Sequence, residues 1–383
     1  MFRIGQEEID AVTRVINSKS LFKVNNALKE TEACEKDMRE KFDVKNAILM
    51  TSGKAAMISA LIGMGVGPGD QVIVPAYTYM ASAVAVIAVG AIPVLAEVDD
   101  SLTIDPEDVK KKITKHTKAI IPVHIQGFPC NMDALCAIAK EHNLVILEDS
   151  CQSDGGSFHG KRLGTIGTAG AMSFNQFKII SAGEGGALLT NDDAVFQRAL
   201  IYHDSSAVAY FGNQMDGFNE EVFCGTEYRT DEVKAAIMRV QLTRLDGILA
   251  DLRRVKKTLM DELKNDFKFI RSNDIEGDCG TTLTFAFDTI AEADAFAQKV
   301  GGECPINTGK HVYRHWTPVM NKKGAFHPLM DPFKMEANKD IIPDYSPDMC
   351  PVTLDYLAKS THTYLRPDMT DEQIEAFIKK CRA

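Results

Sequence analysis

Lys178 stands in the run Ser173-Phe-Asn-Gln-Phe-Lys178-Ile-Ile-Ser-Ala-Gly-Glu-Gly-Gly186, a single lysine between apolar residues and a glycine-rich turn. Apolar surroundings disfavour the ammonium form, so such an amine gives up its proton more readily than one on an open surface. That is the condition for a lysine that attacks a carbonyl and forms a Schiff base. Upstream, Val145-Ile-Leu-Glu-Asp149-Ser-Cys-Gln152 sets a carboxylate at the end of an apolar run, where water screens it little. An amine and a shielded acid of this kind suit pyridoxal 5'-phosphate, Lys178 for its aldehyde carbon and Asp149 for its ring nitrogen. On these residues alone, a cap for the turn that follows is the competing reading of Asp149.

Residues so far apart need a scaffold that gathers them. Short apolar runs at Ala47–Met50, Gln71–Val74, Pro93–Val98, Ala119–His124, Leu144–Glu148, Gly170–Phe174 and Ala187–Thr190 read as strands. Several are nearly continuous in Val, Ile and Leu, which suits strands buried on both faces. Helical patterns at Ala55–Met64, Ser82–Val89 and Met132–His142 alternate with them, so the expectation is an α/β fold with a mainly parallel sheet covered on both faces. Such sheets bind ligands beyond the carboxyl ends of their strands. Thr51–Lys54, Pro75–Tyr79, Asp149–Gln152 and Ser173–Lys178 all fall there, which predicts one site built from four segments.

A long helical stretch, Thr230 to about Leu263, leads to strand signals at Phe267–Ile270 and Thr281–Phe287 around a helix at Ala291–Val300. The division expected is residues 1–250 as a large cofactor-binding domain, including an N-terminal helix, and 251–383 as a smaller α+β domain. His311 to Met349 reads mostly as loop, and Thr370-Asp-Glu-Gln opens a capped terminal helix. At 383 residues, roughly two domains fit the size prior.

The net charge of -10 argues against a nucleic-acid surface, and Lys110-Lys111-Lys112 reads as the solvated face of a helix. Nine scattered cysteines without a Cys-x-x-Cys pair point to free thiols in a reducing compartment, with neither a disulfide framework nor a metal site. The N-terminus looks like an amphipathic helix start, not a leader, and the most apolar stretch, Met80 to Leu95, is too short to span a bilayer. The expectation is a cytoplasmic protein with no membrane partner.

Thr51-Ser-Gly-Lys-Ala-Ala, Tyr77-Thr-Tyr79, Pro122-Val-His-Ile-Gln-Gly127, Glu148-Asp-Ser-Cys-Gln152, Ser173-Phe174, Lys178 and Gly183-Glu-Gly-Gly186, in this order, resemble the DegT-type sugar aminotransferases. The resemblance runs from about Gly5 to the final helix and takes in Cys350-Pro351. It implies an aspartate-aminotransferase-like fold (pyridoxal-phosphate fold type I) and a homodimer with shared active sites. It also implies an amino-acid donor, L-glutamate or L-glutamine, and a sugar-like acceptor. By this resemblance Lys178 and Asp149 are the catalytic pair, Gln152 bonds the ring oxygen, and Tyr79 stacks on the ring face. Ser52, Gly53, Lys54 and Ala55 at a helix start, with Ser173, hold the phosphate. Leu21-Phe-Lys-Val-Asn25, the Asp99–Ile104 stretch and Lys178–Gly186 look closest to the octulosonate-aminating subgroup, where Lys23 occupies a basic position facing an anionic substrate group. A simple surface lysine fits Lys23 as well.

Two positions depart from the family. Lys54 replaces a small hydroxyl residue, and Gly225-Thr-Glu227-Tyr-Arg229 carries a glutamate where the family sends an asparagine to the partner's phosphate. A glutamate there would be repelled by the phosphate and a lysine attracted to both, so the expectation is that Lys54 bridges the phosphate and Glu227 across the interface. Arg229 is expected at a substrate carboxylate or in an interface ion pair. His203, His311, His315 and Trp316 are candidates for the acceptor pocket. Two other readings stay open on the same scaffold: a sugar dehydratase, against which Lys178 speaks, and a non-catalytic regulatory relative.

Overall fold

The computed structural model describes residues 3–24, 27–210 and 217–383. Two helices, α1 (Gln6–Ser18) and α2 (Glu30–Phe42), precede the sheet. Then come β1 (Asn46–Met50), α3 (Gly53–Gly63), β2 (Gln71–Pro75), α4 (Ala81–Ala88), β3 (Ile92–Ala96), α5 (Pro106–Lys112), β4 (Thr117–Ile120), α6 (Met132–His142) and β5 (Val145–Asp149). A small hairpin, β6 (Ser157–Phe158) and β7 (Lys161–Arg162), leads to β8 (Ala169–Ser173), β9 (Gly186–Thr190), α7 (Asp193–His203) and the long α8 (Glu232–Leu263). The C-terminal part adds β10 (Lys268–Phe269), β11 (Thr282–Ala286), α9 (Ile290–Val300), α10 (Thr317–Met320), α11 (Pro351–Ala358), β12 (Ser360–Tyr364) and α12 (Asp371–Arg382).

Seven strands form the central sheet in the order β1-β9-β8-β5-β4-β2-β3. Every pairing from β8 to β3 is parallel, and β9 alone runs against its neighbours β8 and β1. Side chains alternate between faces along a strand. Ile48, Val72, Leu147, Ala171 and Leu188 accordingly pack with α3 and α4 on one face. Leu49, Met172 and Leu189 meet α2 and α8 on the other, where Ile73, Ile120 and Ile146 meet α6. The expected α/β sheet covered on both sides is the one observed. β4 ends four residues before the expected His124; Pro122, which has no N–H, lies in that remainder.

The smaller sheet is antiparallel, in the order β10-β11-β12. α8 runs unbroken through residue 250, where the domain division was expected, and its apolar residues from Leu242 to Leu263 belong to one core with Phe285 and Ile374. Residues 311–349, expected mostly as loop, form 3-10 turns and α10 that fold back on the large sheet. There Tyr345 Oη–H donates to the Pro93 carbonyl of edge strand β3, Gln71 to Ile341, and Asn338 bridges Gly69 and Gly90. At the opposite edge the Leu49 N–H of β1 donates to Glu35 of α2.

Candidate active site

The first wall of the site is the turn from β1 into α3. Ser52, in extended conformation, caps α3 by accepting from the Ala55 N–H at 3.1 Å. The N–H groups of Gly53 and Lys54 point along the helix axis without a protein acceptor among the described residues, so they and the helix dipole favour an anion there. Only glycine fits at 53, because an added Cβ would come within 2.6 Å of Cys151 Sγ and 2.9 Å of Ser173 Cβ. Gly186 is required on the same grounds, since its Cβ would meet the Ser52 backbone at 2.3 Å. The glycine-rich run after Lys178 thus lets β9 pass directly behind the cradle.

The acidic wall comes from β5, where alternation sends Glu148 and Asp149 to opposite faces. Glu148, fully buried, accepts from the Gly164, Ile166 and Gly167 N–H groups and from His124 Nε2. His124 Nδ1 takes the Cys130 N–H, which leaves Nε2 as the donor. This knot anchors the strand end. Asp149 lies on the α3–α4 face, 5% exposed, with Oδ2 accepting from Ser82 Oγ at 2.7 Å and Oδ1 from the Cys151 N–H at 3.1 Å. Ser82 was not foreseen, although it follows Tyr79 by three residues, one helical turn.

Gln152 is oriented by a backbone donor: the Gln126 N–H gives to Gln152 Oε1 at 3.1 Å, which leaves its amide N–H free for the cavity. Gln126 itself has φ 53°, a left-handed conformation, and its carbonyl is held by Thr281 at 2.6 Å. Tyr79 is 41% exposed and not a core aromatic; His311 lies 5.7 Å from its ring and Lys310 sits over it at 5.3 Å. Burial, with Lys310 and Lys178 nearby, lowers His311 to about 4, so it is a neutral imidazole at pH 7. Lys178 is half-buried and makes no ion pair among the described residues. These groups line one cavity of about 850 Å³ with Ser52, Gly53, Lys54, Ser173, Tyr364 and Arg366.

Some expected residues lie elsewhere. His315 is exposed on a 3-10 turn outside the cavity. His203 is buried with Nδ1 at the Leu200 carbonyl, and Trp316 is fully buried with its indole N–H on the Lys310 carbonyl. Of these four candidates only His311 reaches the cavity, because the turn at 309–311 approaches α4 and the following turns face away. Lys23 pairs with Glu35 at 2.8 Å, and Asn25, two residues on in sequence, lies outside the described residues, as do Met1 and Phe2. Arg229 is bound to Asp204 and to Glu227 of its own chain, away from the cavity. Glu227 is half-exposed, and Lys54 makes no ion pair within the chain among the described residues. Lys310 and Arg366 were missed: nothing local marks them, and only long-range packing brings them to the site.

A family model described as the DegT/DnrJ/EryC1/StrS aminotransferase family matches residues 3–300. The chain is 37% identical over 256 residues to a GDP-perosamine synthase of Caulobacter vibrioides, covering 66% of each protein. It is 38% identical over 220 residues to the dTDP-3-amino-3,4,6-trideoxy-alpha-D-glucose transaminase of Streptomyces venezuelae, covering 57% of this chain and 56% of that one. Both alignments span less than two thirds of the relative's length, 66% and 56% respectively. Among solved structures, an aminotransferase from Psychrobacter cryohalolentis superposes with a TM-score of 0.79 at 27% identity, over 99% of this chain and 96% of that one. No helix of the described residues is long and apolar enough to cross a membrane.

Proposed function

The chain belongs to the DegT/DnrJ/EryC1/StrS aminotransferase family, and from that premise we propose that it moves an amino group from L-glutamate or L-glutamine to a keto or aldehyde carbon of a sugar-like acceptor. The observation that carries the reading is the single cavity in which a cradle of helix-start N–H groups, a buried carboxylate, an oriented amide, an aromatic face and an unpaired lysine meet. That set fits pyridoxal 5'-phosphate.

When bound, this cofactor supplies an aldehyde and a ring that accepts electrons from a substrate carbon. The chain's own residues supply the rest. Gly53 and Lys54, with Ser52 and Ser173, would hold the phosphate end, where the α3 dipole favours negative charge; Ala55, expected among them, instead gives its N–H to Ser52 Oγ and lies outside the cavity lining. Asp149 would hold a proton on the ring nitrogen, and Tyr79 would cover the ring face. Gln152, its Oε1 taken by the Gln126 N–H, would donate its amide N–H to the ring oxygen. Lys178 Nζ, free of ion pairs among the described residues, would take up and return the proton that moves at the substrate carbon.

The same reading makes the protein a homodimer with shared sites. Lys54 would bridge the phosphate and Glu227 of the partner subunit, a contact that requires Glu227 to divide itself between Lys54 and Arg229. The test is the absorbance of the purified protein with and without L-glutamate. Visible absorbance that glutamate bleaches, and that Lys178→Ala lacks, is the expected result. A protein that stays colourless with added cofactor would refute the assignment.

A further inference from the structure

Ser82 sits on the first turn of α4 and is fully buried, with two acceptors in reach. One is Asp149 Oδ2 at 2.7 Å, the other the Tyr79 carbonyl at 3.3 Å. A charged acceptor at the shorter distance holds the proton. The Ser82 oxygen is then left to accept, and Thr78 Oγ1, 2.9 Å away and also buried, donates to it. Thr78, Ser82 and Asp149 form a hydroxyl relay that ends on the acid.

Resting on the cofactor assignment above, we propose that Ser82, backed by Thr78, is a positioning residue that fixes the Asp149 carboxylate against the ring nitrogen of pyridoxal phosphate. Among the described residues the carboxylate is otherwise held by Cys151, whose N–H donates to Oδ1 at 3.1 Å. Without Ser82 the carboxylate can turn about its side-chain torsion. The turn bearing Ser82 also bears Tyr79, and it is tied to the opposite wall by the Thr78 N–H to the His311 carbonyl at 2.9 Å and the Met80 N–H to the Lys310 carbonyl at 3.1 Å. One rigid turn therefore sets both the face contact and the edge contact of the ring.

The test is cofactor binding by the apoprotein, followed by absorbance and by the fluorescence of Trp316. Ser82→Ala should weaken binding by about tenfold, which corresponds to about 1.4 kcal/mol. Ser82→Thr should restore it, and Thr78→Val should give a smaller loss of the same kind. In an Asp149→Ala background, Ser82→Ala should cost nothing further, whereas a merely structural serine would cost the same in both. The nitrogen resonance of isotopically labelled cofactor should shift in Ser82→Ala, as the ring loses its fixed acid. Equal binding and an unmoved resonance, or an equal loss in both backgrounds, would overturn the proposal. If Ser82→Ala does not fold, Thr78→Val in the two backgrounds decides the same question. Failure of the wild-type chain to bind pyridoxal phosphate would instead remove the functional reading, and this proposal with it.

Discussion

Lys54 and Glu227 are the residues at which this chain departs most from its family, and charge decides what each change should do. Lys54→Thr should weaken cofactor retention by about fivefold, the scale of an exposed charge contact, because Glu227 then faces the phosphate uncompensated. Lys54→Thr with Glu227→Asn should regain most of the loss, measured by dialysis against phosphate-free buffer. If Glu227 turns only to Arg229, the second change will restore nothing. Burial lowers His311 to about 4 and His362 to about 3, against 6.5 for an open histidine. Below 6.5 the unfolded chain takes up protons that the folded chain refuses, so stability is fully present above that pH and falls as pH drops towards those values. The scale is about 1.4 kcal/mol per pH unit per group. Thermal melts between pH 8 and 4.5 should show the slope, and His362→Gln should flatten it.

At the scale of elements, the turn into α3 is where sequence and geometry agree most closely. Ser-Gly after an apolar run and before a helical pattern could be read as a helix start, and the Cβ clash at 53 shows why no other residue serves. Gly53→Ala should therefore cost more in cofactor affinity than in melting temperature, since the clash lies between the cradle and Ser173; a titration of the apoprotein beside a melt separates the two. The strands were legible because continuous Val, Ile and Leu runs are local signals, and Lys178 and Asp149 stood out by their apolar surroundings, whereas roles for Gln152 and Tyr79 came only with the family resemblance. Ser82 and Gln126 were less so, because a serine in an apolar helix and a glutamine before glycine have many uses. Lys310 and Arg366 had no local mark at all. The prolines between His311 and Met349 announce turns, hence the expectation of loop, but nothing in them announces the sheet they cover.

For the whole molecule, we read two units joined through α8, the larger one regaining residues 305–349 from the C-terminal part. The proposed shared site makes activity a property of the pair. Specific activity should fall on dilution as dimers part, in step with the light-scattering mass; activity per chain that stays constant while the mass halves would separate the two. The returning segment has one more effect. A sheet of this length has two outer strands, and each is a template on which another chain could grow. Here β3 offers a proline, which has no N–H to give, and Tyr345 occupies that proline's carbonyl, while Glu35 takes a donor of β1. The chain that narrows the cavity on one side also seals the border of the sheet, so that losing residues 328–349 should show first as fibrous aggregation of an otherwise folded protein.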